Sequence, residues 1–522
     1  FPSRHALEVL AAGGPRPGTR ARHGAAPRSR DAHASAAGST GPQADPVDVP
    51  ADRYCDLVME GGITSGVIYA SAAVELARHY RFCNIGGSSI GAFAASLAAA
   101  AEYRRRHGSG DGYAKLARLP EELAREEGGR TRLERVFIPQ PRTRRLFAIF
   151  LATLERPGPL SRVLHGLREA LRQYRRAVAV TSVVLGAAVL GGPLQAAWQC
   201  RASAAPFACA WPLVSAIAAV ALALGVAAVL ALAAGVCRDV ARGLVPNGFG
   251  LCRGWDPDGP ADSPDLAAFL HASIQDVAGR GLHERPLTFR DLWDAPGAAG
   301  KALGLDTRGT AARSINLEMY ASNLAHGRPY RFPLDEAQDM GRLFFRADEL
   351  DAYFPRGIVQ FLQALSSPYA ARSEADPPAE TVPGGYLELP VADLPVVVAA
   401  RLAMSFPLLV SAVPLHAIDH GARRMGRCWM SDGGLCTNFP IHLFDSFLPM
   451  WPTFGISLDS RPADQPVAVR LPEFHSSGRA DTWDRGPDGP WRLAGFLGSL
   501  WRTTWRWNDS TMVRMPGVRD RV

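Results

Sequence analysis

Eight cysteines, at 55, 83, 200, 209, 237, 252, 428 and 436, include no C-x-x-C pair, so the spacing that zinc sites and dithiol redox motifs need is missing. No metal site is indicated. Most thiols are expected to be reduced, while Cys200 and Cys209 flank a short loop and are either free or paired. No glycine-rich nucleotide loop follows an expected strand, and no cofactor is expected. No secretory signal is visible. The net charge of +7 is modest for 522 residues, and the arginines are spread out. That pattern excludes the dense basic stripe of a nucleic-acid binder and suits an anionic lipid surface. Residues 1–50 are nearly without aromatics and too poor in apolar side chains to fold alone, so they are expected to be disordered.

Charge is also missing from two long stretches. Residues 177–198 and 210–236 contain no Asp, Glu, Lys or Arg. At 1.5 Å per residue they give helices of about 33 and 40 Å, against a hydrocarbon core of about 30 Å. A transmembrane hairpin is expected over residues 177–236. The connecting loop, 199–209, holds only Arg201, whereas Arg172, Arg175 and Arg176 precede the hairpin and Arg238 and Arg242 follow it. Positive-inside asymmetry puts both flanks, and the catalytic domain with them, in the cytoplasm. The break at Gly191-Gly192-Pro193 and the alanine-rich composition leave a buried or re-entrant hairpin as the alternative.

Gly87-Ser88-Ser89-Ile90-Gly91 sets a serine between two glycines, after an apolar run and before an alanine-rich one. This is the pattern of a nucleophile on a strained strand-to-helix turn, and it makes Ser89 the candidate nucleophile. A five-residue motif is short, and a plain helix-entry turn is the competing reading. The surroundings favour chemistry. Residues 55–59 read as a buried strand, Gly61-Gly62-Ile63-Thr64-Ser65-Gly66 as a tight turn, 67–80 as a helix and 81–85 as a second strand. A right-handed parallel βαβ unit brings the ends of its two strands side by side. The N–H groups of Gly61, Gly62 and Ile63 then face Ser89 as an oxyanion hole, where one donor is typically worth about 3 kcal/mol. Far downstream, Cys428-Trp429-Met430-Ser431 leads into Asp432-Gly433-Gly434, with Asn438-Phe439-Pro440 behind it. An acid at a strand end before two glycines projects its carboxylate beside a neighbouring strand end; as a lone feature it is more often a turn.

In this combination the sequence resembles the patatin-like phospholipases, acyl hydrolases with a Ser-Asp dyad in place of a triad. The resemblance runs over roughly residues 54–100 and 285–460. It also includes Ala399-Ala400-Arg401-Leu402-Ala403-Met404-Ser405-Phe406-Pro407, Leu287-Thr288-Phe289-Arg290-Asp291-Leu292-Trp293 and Ile315-Asn316-Leu317. It implies a three-layer α/β/α fold with a mainly parallel central sheet, Ser89 as nucleophile, Asp432 as base and Gly61, Gly62 and Ile63 as oxyanion donors. The sequence departs from the family loop at two places, with Ile63 at its third glycine and Ser65 at its basic position. A backbone N–H survives at Ile63. The missing cation removes one contact to a substrate phosphate.

The expected architecture is one catalytic domain over 54–522 with the hairpin inserted in it, and the expected activity is hydrolysis of carboxylic esters of phospholipids or related lipids, with a phospholipid membrane as substrate and anchor. A serine hydroxyl is a poor nucleophile, so Asp432 must take its proton, and a carboxylate does that best in a dehydrated site. Two alternatives stay open. A Ser-His-Asp esterase would use His442 or His475, which follow Asp432 in chain order. A non-catalytic membrane scaffold would keep the fold without the reaction. Leu146-Phe147-Ala148-Ile149-Phe150-Leu151 lies in a helix that packs on the core or lies on lipid. Trp501, Trp505 and Trp507 suit either a lipid interface or a core.

Overall fold

Tyr54–Met59 (β1) is buried along its whole length, as a strand with neighbours on both edges and cover on both faces must be. In the computed structural model, residues 49–457 are described apart from 51, 63–66, 128–129, 155–158, most of 190–209, 258–264, 299–312, 335–340 and 445–448. Ile63, Ser65, the Cys200–Cys209 loop, His475, the three C-terminal tryptophans and residues 1–48 therefore lie outside the described residues. After β1 come α1 (Val67–Ala77), β2 (Arg81–Ser88), α2 (Ile90–Arg106) and α3 (Asp111–Ala124). Longer helices that follow are α4 (Arg144–Leu154), α5 (Pro159–Gln173), α6 (Arg175–Val189) and α7 (Ala210–Asp239). The rest of the core includes α8 (Leu266–Val277), β3 (Asn316–Asn323), β4 (Arg328–Phe332), β5 (Leu343–Arg346), β6 (Tyr386–Glu388), α9 (Val396–Ala403), β7 (Val413–Asp419), β8 (Arg424–Asp432) and β9 (Thr453–Ile456).

These strands make one nine-stranded sheet in the order β9-β1-β2-β3-β8-β7-β5-β6, with β4 on β3. The class is mixed α/β, as expected. The pairs β9–β1, β1–β2 and β2–β3 are parallel, and this parallel half carries the Gly61 and Ser89 turns, whereas Asp432 ends β8 in the antiparallel half. Beyond β3 the pairing is antiparallel.

The period-two alternation of β1 sorts its side chains onto two faces. Cys55, Leu57 and Met59 enter the large core under the helices, whereas Val58 joins Phe439 and Ile441 on the other face. Helix α2 packs on β1, β2 and β3 and is contacted by α3, α8 and α9. Its run of alanines, Ala98 to Ala101, is fully buried. Small side chains let so many elements approach one helix, and leucines there would overfill the space. Near its end, Glu102 is buried with Arg105 and Arg106; Arg106 Nε donates to it at 2.6 Å and the Tyr113 hydroxyl at 2.7 Å. Leu287, Phe289, Ile315 and Leu317 are all buried core residues, in line with the sequence expectation.

The inserted helices leave the core after α3 and return through Gly250–Cys252, which pairs with Leu408–Val410. Helices α6 and α7 pack against each other. Tyr174, just before α6, meets Gly235 of α7, and Gly186 meets Leu224, so the two helices run antiparallel. Within this pair, Ile217–Leu244 is long and apolar enough to cross a membrane: 28 residues, mean hydropathy 2.7 over the most apolar window, and only 11% of that window buried. The described part of the first segment is shorter than the expected 177–198, because α6 spans Arg175–Val189 and most of residues 190–209 lie outside the described ones. Helix α4 packs on the core through Leu146, Phe147, Phe150 and Leu151, which decides between the two readings of that stretch.

Candidate active site

The strand registers bring the two singled-out ends together. Ser88 pairs with Tyr320 and Asp432 with Ala321, the next residue along β3. Because β4 occupies the other edge of β3 over 319–323, β2 and β8 must share one edge and meet there end to end. Ser89 leaves β2 at φ 54°, ψ −128°, in a region that non-glycine residues rarely adopt, and it opens α2. Such a conformation costs of order 1–3 kcal/mol and persists only where the surroundings enforce it. The flanking glycines are what allow it. A Cβ on Gly87 would overlap the backbone of Gly91, and one on Gly91 would overlap the Met59 and Glu60 carbonyls, so the helix could not seat against the end of β1.

Asp432 is 3% exposed. Its N–H donates to the Ser405 carbonyl at 2.9 Å, and its Oδ1 accepts the Gly434 N–H at 2.7 Å. The second oxygen, Oδ2, is buried without a hydrogen-bond partner. Burial pushes the carboxyl up from 3.8 to about 7, offset in part by the nearby Ser89 hydroxyl and the Gly434 N–H. The Ser89 hydroxyl is thus the one side chain that acts on the Asp432 carboxyl among the described residues.

The glycine turn departs from expectation at Gly61. Its N–H donates to the Asn438 carbonyl at 2.7 Å, so it is occupied and does not serve as an oxyanion donor here. Gly61 has a different use: a Cβ there would stand 3.0 Å from the Ser89 Cβ and run into Asn438, so its lack of a side chain permits the close approach. Gly62, next in the chain, is half-buried and remains the described donor candidate; Ile63 lies outside the described residues.

Two residues whose roles the sequence does not reveal, Asn438 and Arg401, support the site. Asn438 Nδ2 donates to Glu60 Oε1 at 2.9 Å and to the Gly61 carbonyl at 3.2 Å, clamping the glycine turn from the segment just past Asp432. Arg401 is completely buried, and burial lowers its pKa to about 10. Its guanidinium donates to the Ser405 hydroxyl at 2.7 Å, the Arg253 carbonyl at 2.8 Å and the Ser411 carbonyl at 3.1 Å. It therefore ties the chain returning from the inserted helices to Ser405, whose carbonyl also accepts the Ser431 hydroxyl at 3.0 Å. The only hint in the sequence was a cation among small apolar residues.

His442 lies beside Tyr320, its Nε2 3.4 Å from the phenol oxygen. Among the described residues, the groups that act on the Asp432 carboxyl are Ser89 and Gly434, with no histidine. The arrangement can therefore do one piece of chemistry without further groups. A hydroxyl on a strained turn faces a dehydrated carboxylate that has one oxygen to take a proton.

Compared with profiles of known protein families, the chain matches none. It is 32% identical to the RpoH suppressor of Rhizobium meliloti (strain 1021) over 535 aligned residues, covering 90% of this chain and 77% of that protein. At that identity and coverage, the chain belongs to the family of the Rhizobium meliloti RpoH suppressor.

Proposed function

We propose that the chain is a membrane-associated serine acyl hydrolase that cleaves carboxylic esters of phospholipids or related lipids through a Ser89–Asp432 dyad on a patatin-like three-layer α/β/α sandwich. The observation that carries this reading is the pairing of a serine at φ 54° with a buried aspartate whose carboxyl is raised to about 7. Together with the motif resemblance, it supports nucleophilic catalysis over a structural turn, because strain and dehydration are both costly and a turn needs neither.

In the proposed reaction the Ser89 Oγ attacks the ester carbonyl carbon as its proton passes to Asp432 Oδ2. The carbonyl oxygen becomes an oxyanion held by the Gly62 N–H, with Ile63 as the further expected donor. Collapse breaks the ester C–O bond, and the leaving alkoxide takes the proton back from Asp432. Water then attacks the acyl-serine and gives a proton to Asp432. That proton returns to Ser89 Oγ as the fatty acid departs. The exposed apolar surface of α7 supports anchoring in a bilayer by the hairpin, with the arginine flanks and the catalytic domain on the cytoplasmic side. This holds the active site where lipid is concentrated.

A fluorophosphonate probe tests the nucleophile. The wild type should be labelled and Ser89→Ala should not; an unlabelled wild type overturns the proposal and favours a scaffold.

A further inference from the structure

One cavity among the described residues lies away from Ser89. A cleft of about 540 Å³ opens at the base of the α6–α7 pair and is lined by Arg145, Arg172, Arg175, Arg176 and Arg238 around Tyr174. These residues come from α4, from α5, from the start of α6 and from the end of α7. Two acids neighbour them among the described residues. Asp239 takes the Tyr174 hydroxyl at 2.9 Å and lies 3.6 Å from Arg145 and 3.3 Å from Arg238, while Glu169 lies 3.6 Å from Arg172. Neither Arg175 nor Arg176 has an ion pair among the described residues, and both are exposed. The cleft therefore keeps an excess of positive charge, at the start of a 15-residue helix whose N-terminal N–H groups add to it.

What surrounds the cleft says where it works. Beyond it rises α7, with Val214, Ile217, Leu222, Val229 and Leu230 all more than half exposed. Beside it lies α5, whose Leu160, Val163, Leu164, Leu167 and Leu171 recur at helical spacing and are 39–65% exposed. An apolar stripe left bare on an amphipathic helix that runs directly into arginines is the composition of a helix lying in a lipid headgroup layer. Fixed arginines at that depth meet phosphodiesters, and guanidinium geometry suits phosphate oxygens.

We infer that this arginine cleft binds the phosphate headgroup of an anionic membrane lipid, with the α5 stripe lying in the adjoining acyl boundary, so that the hydrolase is seated at a fixed depth on an anionic leaflet. The inference rests on the membrane association proposed above and names a lipid site separate from Ser89 and Asp432, neither of which lines the cleft.

The test uses the full chain with Ser89→Ala as background, so that lipid is bound and not consumed. The protein is placed in phosphatidylcholine nanodiscs with or without phosphatidylglycerol, and retained lipid is counted by native mass spectrometry. Arg172→Gln, Arg175→Gln and Arg176→Gln are combined, because Arg145 and Arg238 neighbour the mostly buried Asp239 and their loss would disturb packing. Phosphatidylglycerol should be enriched on the parent, and the enrichment should fall by about fivefold for each arginine removed. Far-UV circular dichroism should be unchanged. Equal retention by parent and triple variant, or no preference for the anionic lipid, overturns the inference. Inorganic phosphate that displaces the lipid at low millimolar concentration would assign the cleft to free phosphate, and this too overturns it. Failure of hydrolysis does not touch this readout, which makes the two proposals separable; a protein that does not enter nanodiscs refutes the membrane reading itself.

Discussion

A base with a carboxyl raised to about 7 must show itself in the pH dependence of the rate. Asp432 accepts the Ser89 proton only when ionised, so kcat/KM should rise through a limb centred near 7. An ordinary carboxylate at 3.8 would leave the profile flat across this range. For one group the ionised fraction is about one tenth a pH unit below the midpoint and about nine tenths a unit above it, so kcat/KM should grow about tenfold between pH 6 and pH 8. The cause lies in the packing: Asp432 is 3% exposed and only Gly434 and Ser89 offset the lost hydration. The assay is kcat/KM for a short, soluble p-nitrophenyl ester at constant ionic strength from about pH 5 to pH 9, which reports the free enzyme. Asp432→Asn should lower kcat/KM by about 10²- to 10⁴-fold and remove the limb. A limb centred near 4, or one that survives in Asp432→Asn, would refute the assignment of Asp432 as the base.

The same shift has a cost in stability. Folded Asp432 holds its proton up to about pH 7 and the unfolded chain releases it near 3.8, so stability falls as pH rises across that window, by about 4 kcal/mol in total. Asp432→Asn should therefore unfold at a higher temperature than the wild type at pH 8 and lose that advantage at pH 4, as read by thermal melts at both. Asn438→Ala should leave the fold in place by circular dichroism but release the Gly61 turn and lower kcat by about 10²-fold, mostly without change in KM, since misplacement of an oxyanion donor acts on the transition state. His442→Ala should keep its turnover, and a loss as deep as that of Asp432→Asn would restore the triad. Gly91→Ala should destabilise the protein by about 1–3 kcal/mol in urea titrations, because the new methyl meets backbone oxygens that cannot turn away.

Much of this was legible in local pattern. Glycines at 87 and 91 around Ser89, the short apolar run of β1 and the uncharged runs of the inserted helices depend on residues a few positions apart, and local backbone geometry and side-chain size read directly from them. What depended on distant partners was not legible. Gly61 looked like an oxyanion donor until Asn438, far along the chain, took its N–H. The apolar run in α4 suits the core or a lipid surface by sequence and packs on the core, and the exposed stripe lies on α5 instead. Arg401 reads as part of a small-residue helix, while its role comes from the carbonyls of Arg253 and Ser411, outside that segment, together with the nearby Ser405 hydroxyl.

By itself the sequence determined which residue types could do chemistry and which stretches could be strand, helix or membrane span, because these are set by short-range sterics and by hydrophobic periodicity. Only the tertiary structure decided that β2 and β8 end against neighbouring residues of β3, that Asp432 is stripped of water and that five arginines converge at the foot of the inserted helices. Register and burial are properties of the assembled sheet and core, and a carboxylate's proton affinity reflects the water it has lost.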